Sequence, residues 1–346
     1  MKKNLRNVLV LALGLMTTVS FAQDWNVDSR TRIDMSGDQG AKSTDQRATL
    51  GATWGGSDWG IHVSTDLNYT LSNQAATGEL GMDIYEAHAS TNLFGMADMT
   101  IGRQALSYGS GALMSGRDWS ANRTTWDGLI FDLGLSDIAD ITVGYASMNT
   151  GCINCDTDSS ATTDDIGNMH VNIAGEFSGW SVNVLYMTQT ATDDAATGID
   201  ISGDLMGATI SASMNTDFGG NEMTSYGLAY AVNDDMSVSV GMSSYGDDDG
   251  FSMAGTDMSG GDWSNGQLGY LGANAEDLSY GLSYNMGGIS LSATMHNITD
   301  AQDDTVERSV TQIGIGYALG DNANLGISYA TDDDAKYTWI TLNVTP

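Results

Sequence analysis

From Trp25 onward the chain alternates apolar and polar residues with a period of two, the pattern of strands with one face in an apolar medium and one in water. In the first segment Trp25, Val27, Thr31 and Ile33 share one parity, while Asn26, Asp28, Arg30, Arg32 and Asp34 share the other. Next come Ala48, Leu50, Ala52 and Trp54 against Arg47, Thr49 and Thr53, then Ile61, Val63, Leu67 and Tyr69 against His62, Ser64, Asp66 and Asn68. Tyr85, Ala87 and Ala89 oppose Glu86 and His88. The alternation recurs to the C-terminus, where Ile340, Leu342 and Val344 are the last apolar set. About 18 such segments are present, each near the 9–11 residues that a tilted strand needs to cross a bilayer. If the pair near 198–215 is a folded loop, the count falls to about 16, and either size encloses an aqueous channel.

The connectors alternate as well. Short turns such as Phe94-Gly95, Ser178-Gly179 and Gly287-Gly288 are interleaved with longer acidic loops, including 36–44, 149–166, 246–276 and 299–306. A soluble all-β sandwich has no need of this regularity, whereas an outer-membrane barrel keeps short turns on its periplasmic side and long loops outside. Aromatic residues also gather near segment ends (Trp25, Trp54, Trp59, Trp180, Tyr69, Tyr145, Tyr186), as interfacial girdles do. The expected fold is all-β: a transmembrane antiparallel β-barrel of about 16–18 strands, with an inward constriction loop.

Composition sharpens this picture. Residues 1–22 read as a signal peptide: Lys2, Lys3 and Arg6 precede an apolar run and a Ser20-Phe21-Ala22 cleavage site. The mature chain, 23–346, is then a single barrel domain. Losing the three signal bases takes the net charge from −32 to about −35. Such a chain has no basic footprint for nucleic acid. With 41% apolar residues it is not a disordered acidic tail either. The 43 glycines contrast with a lone proline, Pro346, so nothing interrupts a continuous ladder. The expected surroundings are membrane lipids and lipopolysaccharide.

The densest candidate chemistry lies in 101–134, where a strand breaks into a Gly/Ser-rich loop and returns as a second strand at Trp126. This stretch holds Arg103, Arg117 and Arg123 beside Asp118 and Asp127. Parity places Arg30, Arg32 and Arg47 on the lumen side with Asp28, Asp34, Asp66 and Glu86. Arg103 shares parity with lipid-facing Ile101, which a charge at mid-membrane depth does not tolerate, so a bulge at Gly102 is expected to swing it inward. Arginines facing acids across a narrow gap would orient dipolar solutes and filter ions; alternatively the charges simply pair and brace the wall.

Gly102-Arg103-Gln104, the Gly-rich loop and Arg123-Thr124-Thr125-Trp126-Asp127-Gly128 resemble Gram-negative porins, locally most like the alginate-export type. In that type GRQ and an Arg-Thr-Phe-Asp strand flank an inward loop; here Thr125-Trp126 stands in place of one aromatic. The resemblance covers about a tenth of the chain. It implies an inward third extracellular loop, and a homotrimer if the chain follows general porins or a monomer if it follows the alginate-export type. The C-terminus departs from many outer-membrane barrels, which end in an aromatic.

The four histidines, His62, His88, His170 and His296, fall on the lumen parity with no metal-binding spacing and read as neutral pore lining. Cys152 and Cys155 are read as a local disulfide pinning an exposed loop, given export. The acidic runs at 247–249, 303–304 and 332–334 match no EF-hand and leave only weak Ca²⁺ binding open. No positioned nucleophile and base is present, so an enzyme is not expected. The function expected is a water-filled, cation-preferring channel for passive diffusion of small hydrophilic solutes and ions. The alternative is a structural or adhesive surface barrel with a blocked lumen.

Overall fold

The computed structural model describes residues 22–36, 43–71, 81–116, 123–134, 139–149, 167–190, 192–247, 250–251 and 268–345. Residues 1–21 of the expected signal peptide (1–22), Arg117, Asp118, Cys152 and Cys155 lie outside them. No helix among the described residues is long and apolar enough to cross a membrane, and the described chain is built from strands of one sheet.

The first six strands are β1 (Ala22–Asp34), β2 (Ser43–Gly55), β3 (Trp59–Thr70), β4 (Gly81–Leu93), β5 (Ala97–Gln104) and β6 (Thr125–Leu133). Six more follow: β7 (Ala139–Asn149), β8 (Gly167–Phe177), β9 (Trp180–Gln189), β10 (Ala195–Leu205), β11 (Ala208–Thr216) and β12 (Glu222–Ala231). The last six are β13 (Met236–Tyr245), β14 (Ala275–Met286), β15 (Ile289–Asp300), β16 (Asp303–Ala318), β17 (Ala323–Asp332) and β18 (Ala335–Val344). Each strand pairs antiparallel with its neighbours in sequence, and β1 pairs with both β2 and β18, so the 18-stranded sheet closes. Closure is what lets every wall strand satisfy its backbone in lipid. The segment near 198–215 is therefore wall, as β10 and β11, and the higher strand count holds.

Three periplasmic hairpins close with two-residue turns whose central residues both have positive φ: Ser178-Gly179, Met206-Gly207 and Gly287-Gly288. That is the type I′ geometry whose twist matches the flanking strands. Outward residues follow the sequence alternation. Trp25, Val27, Ile61, Val63, Tyr145, Tyr186, Leu228, Val240, Leu282 and Ile315 are all exposed large hydrophobics on the lipid side.

The alternation breaks once near the site. Between β3 and β4 the register shifts so that Ser64 faces Glu86 and Thr65 faces Ile84, leaving Tyr85 as the extra residue of a bulge. A bulge puts two successive side chains on one face. Tyr85 therefore joins Glu86 on the lumen side, and Ile84 takes the outward position assigned to Tyr85 by simple alternation. At Gly102 the register runs through unshifted on both neighbours, although its φ is +126°. The bulge belongs to β4.

Candidate constriction and pore wall

After Gln104 the chain leaves the wall and runs inward. Leu106, Ala112, Leu113 and Met114 are buried against Trp126, Ile130, Ala146, Leu185, Met187, Ala196 and Met223. Those partners sit on the inner faces of β6, β7, β9, β10 and β12, where water-facing residues are expected. Burying one large side chain contributes roughly 1.5–3 kcal/mol, so the three of Leu106, Leu113 and Met114 hold the loop firmly on this wall.

Polar latches reinforce the docking. The Tyr108 hydroxyl stands 3.4 Å from His170 Nε2, and His170 Nδ1 lies 3.1 Å from Asn168 Oδ1. Burial pushes the Tyr108 hydroxyl well above its usual range, so it stays neutral. At the loop tip Ser110 N–H donates to Asp200 Oδ2 at 3.0 Å, and the Ser110 hydroxyl meets that of Ser213 at 3.2 Å. Gly109 and Gly111 supply the positive φ values that this tight tip requires.

The returning limb is anchored on the other side of the lumen. Arg123 Nε donates to Asp66 Oδ2 at 3.0 Å, and Nη2 donates to Asp66 Oδ1 at 2.5 Å and to Thr49 Oγ1 at 3.0 Å. Its guanidinium carbon lies 3.2 Å from the centroid of the Tyr85 ring. The β4 bulge is what delivers that ring to the lumen. A bidentate carboxylate on one side and an aromatic face on the other is the environment to which the planar guanidinium is suited.

Beside this node stand the remaining luminal arginines. Arg30 and Arg47 are direct cross-strand partners, and Arg32 faces Asp45 on β2 and Thr341 on β18. All three are more than nine-tenths buried, and Arg30 feels the charges of Arg47, Arg32, Arg123 and Asp66 together. Glu86 accepts from Ala105 N–H at 3.1 Å and so holds the first residue of the inward loop.

Arg103 and Asp127 lie apart from this cluster. Arg103 Nε donates to Asp127 Oδ1 at 2.7 Å and Nη2 to Oδ2 at 2.9 Å, across β5 and β6. Nη1 reaches the Ile84 carbonyl beside the bulge at 3.3 Å. Asp127 faces Ser147, one outward-facing step toward the extracellular end from the Leu129–Tyr145 pair. The charge expected to need a Gly102 bulge is instead compensated by a paired carboxylate near the upper aromatic row.

A second inward element has no counterpart in the sequence reading, which keeps 246–276 outside. Phe251 is completely buried in the same apolar cluster as Leu113 and Met114, and Tyr270 packs edge-on against it with ring centroids 5.0 Å apart. The Tyr270 hydroxyl donates to the Ala112 carbonyl at 3.2 Å. Leu268 and Leu271 join a second cluster with Ile298, Val310 and Trp339 on the opposite wall. The described ends of this loop therefore enter the barrel mouth and rest on the constriction loop. Apolar residues on the water parity, such as Ile130, Leu185, Met187 and Met223, were the available signal that something covers them.

A family model described as Gram-negative porin matches residues 8–345. Comparison with curated protein sequences gives no match. Among solved structures, that of Pseudomonas aeruginosa OpdK with vanillate is similar with a TM-score of 0.73 at 12% identity, covering 94% of this chain and 100% of that one. Pseudomonas aeruginosa OccK8 (OprE) gives 0.71 at 11% identity, covering 94% and 98%. Acinetobacter baumannii OccAB2 gives 0.71 at 13% identity, covering 95% and 99%. At such identities the likeness speaks for the fold of the wall.

Proposed function

The chain belongs to the Gram-negative porin family, and from that premise we propose that it is a cation-preferring diffusion channel narrowed by the 105–124 loop. As a porin it is a channel of the outer membrane for small solutes, not an enzyme. The narrowing and the ion preference are the proposal. The observation that carries them is a loop sealed on the β6–β12 wall while its returning limb is tied to Asp66 beside Arg30, Arg32 and Arg47. A net charge near −35 after signal removal raises the cation concentration at the mouth. Inside, the arginines favour solutes that present a carboxylate, through charge-assisted hydrogen bonds; the OpdK structure with vanillate supports this reading. Each chain closes its own barrel, so a trimer is not needed to complete the path.

In planar bilayers under a salt gradient, the reversal potential is expected to report cation preference that shrinks as salt shortens the screening length. Replacing Arg30 and Arg47 with alanine should raise that preference severalfold, because two positive charges leave the narrow part. An anion-selective wild type, or unchanged selectivity in the double variant, counts against the proposal. A blocked-lumen surface barrel is the second reading, favoured by Phe251 and Tyr270 seated on the constriction loop. It requires that correctly folded protein carry no single-channel current.

A further inference from the structure

The constriction loop seals the β6–β12 side of the lumen, which leaves the arginine wall and the inner faces of β13–β18 for solutes to pass. Below the cluster of Leu271, Val310 and Trp339 at the mouth, that second wall is made of small uncharged residues. Its serines sit opposite glycines. Ser239 faces Gly281 and Ser290 faces Gly316, and in each pair a Cβ on the glycine would collide with the serine hydroxyl. At one place the wall deepens into a recess of about 120 Å³, where Ser292, Thr294, Gln312, Gly314, Ser328 and Trp339 line it. Ser292 lies over Gly314 in the same manner, and Ser328 pairs with Trp339 across β17 and β18. Trp339 in turn faces Asp34 on β1, one lumen-facing step beyond Arg32 and Thr341, so the recess adjoins the arginine cluster at the seam.

Three properties of the recess define what fits it. No charged side chain lines it, so it offers little to a free ion. Its polar side chains, three hydroxyls and one amide, each both donate and accept, and none of the four is spent on a side-chain hydrogen bond among the described residues. Trp339 and the bare backbone of Gly314 add an apolar side. A single water needs roughly 10–15 Å³ of such space, so the recess has room for a ring rather than for a lone solvent molecule. A ring that carries hydroxyls around an apolar body matches all three properties. Each hydroxyl gives and takes a hydrogen bond, and the ring carbons lie against the indole. We propose that this recess is a binding subsite for an uncharged polyhydroxylated ring, such as a pyranose sugar, inside the barrel. It adds a second solute class beside the carboxylates favoured by the arginines and does not depend on them. Binding there is weak, which suits passage, because a tightly held solute does not leave.

The test applies saturation-transfer NMR to full-length protein folded in detergent, with glucose, myo-inositol and cyclohexanol, the last a ring with a single hydroxyl. Glucose and inositol are expected to take up saturation far more strongly than cyclohexanol. Ser292→Val combined with Ser328→Val fills the recess and removes two hydroxyls, and should weaken the effect at least about tenfold. Valine suits a strand, so the wall should persist in that variant, and the isosteric Thr294→Val supplies a milder change with a severalfold loss. Arg30→Ala with Arg47→Ala should leave the uptake unchanged. No transfer to either polyol overturns the proposal, as does equal transfer to cyclohexanol. Undiminished transfer in the double valine variant overturns it too, and so does loss in the arginine variant, which places the ring elsewhere. In planar bilayers glucose should lower the wild-type current more than that of the valine variant. If NMR shows the site but no current flows in any condition, the channel reading falls and the subsite stands.

Discussion

Asp66 carries more of the site than any other single residue. It accepts from both Arg123 nitrogens and from the Thr49 hydroxyl at 2.7 Å, with its side chain almost entirely out of water. Removing one partner of such a pair leaves an uncompensated buried charge, which typically costs about 3–5 kcal/mol. Asp66→Ala should therefore destabilise the barrel by that order in urea unfolding and make the open current noisier as the returning limb loosens. A variant with wild-type stability and a quiet current would mean that the Arg30, Arg32, Arg47 group holds the limb without it. Much of this was legible: parity alone put Asp66, Arg30, Arg32 and Arg47 on the lumen face. The position of Tyr85 was not, because a bulge is a property of two strands in register, and one strand's alternation carries no trace of it. Arg103 was misjudged for a related reason. Its compensating partner, Asp127, lies 24 residues along the chain and becomes adjacent only through the β5–β6 register.

At the scale of elements, two loops share the lumen. Deleting 110–115 removes Ala112, Leu113 and Met114 together with the Ser110 latch, and should raise single-channel conductance by opening cross-section to water. Trimming 250–271 should raise it too, since Phe251 and Tyr270 lie on the first loop and Leu271 on the far wall. If only the second deletion widens the channel, the narrowest point belongs to that loop. The strands themselves were readable because lipid imposes a strict outward apolar face. The inward packing of Phe251, Leu268, Tyr270 and Leu271 was not, because an acidic, glycine-rich loop is as compatible with water outside as with a water-filled mouth. The hint lay in the wall: Leu185, Met187 and Met223 on a face where water was expected need an apolar cover.

For the whole molecule, nearly every pairing joins strands adjacent in sequence, and in three hairpins an I′ turn sets the register locally. The seam is the exception. There only 29–34 of β1 meet 339–344 of β18, whereas β1 pairs with β2 along its whole length. Contacts that far apart in sequence form last, after the ordering cost of everything between has been met. Hydrogen exchange on protein folded in detergent should find the amides of 29–34 and 339–344 opening before those of β10 and β11, and equal protection would argue against a weak seam. The seam is also where Arg30 faces Asn343 and Arg32 faces Thr341. Arg30 and Arg32 thus sit on the strand that must find β18 for the barrel to close, and a chain arrested short of closure leaves them beside an open edge. If the arginines set the ion preference as proposed, that preference also reports whether the seam has closed.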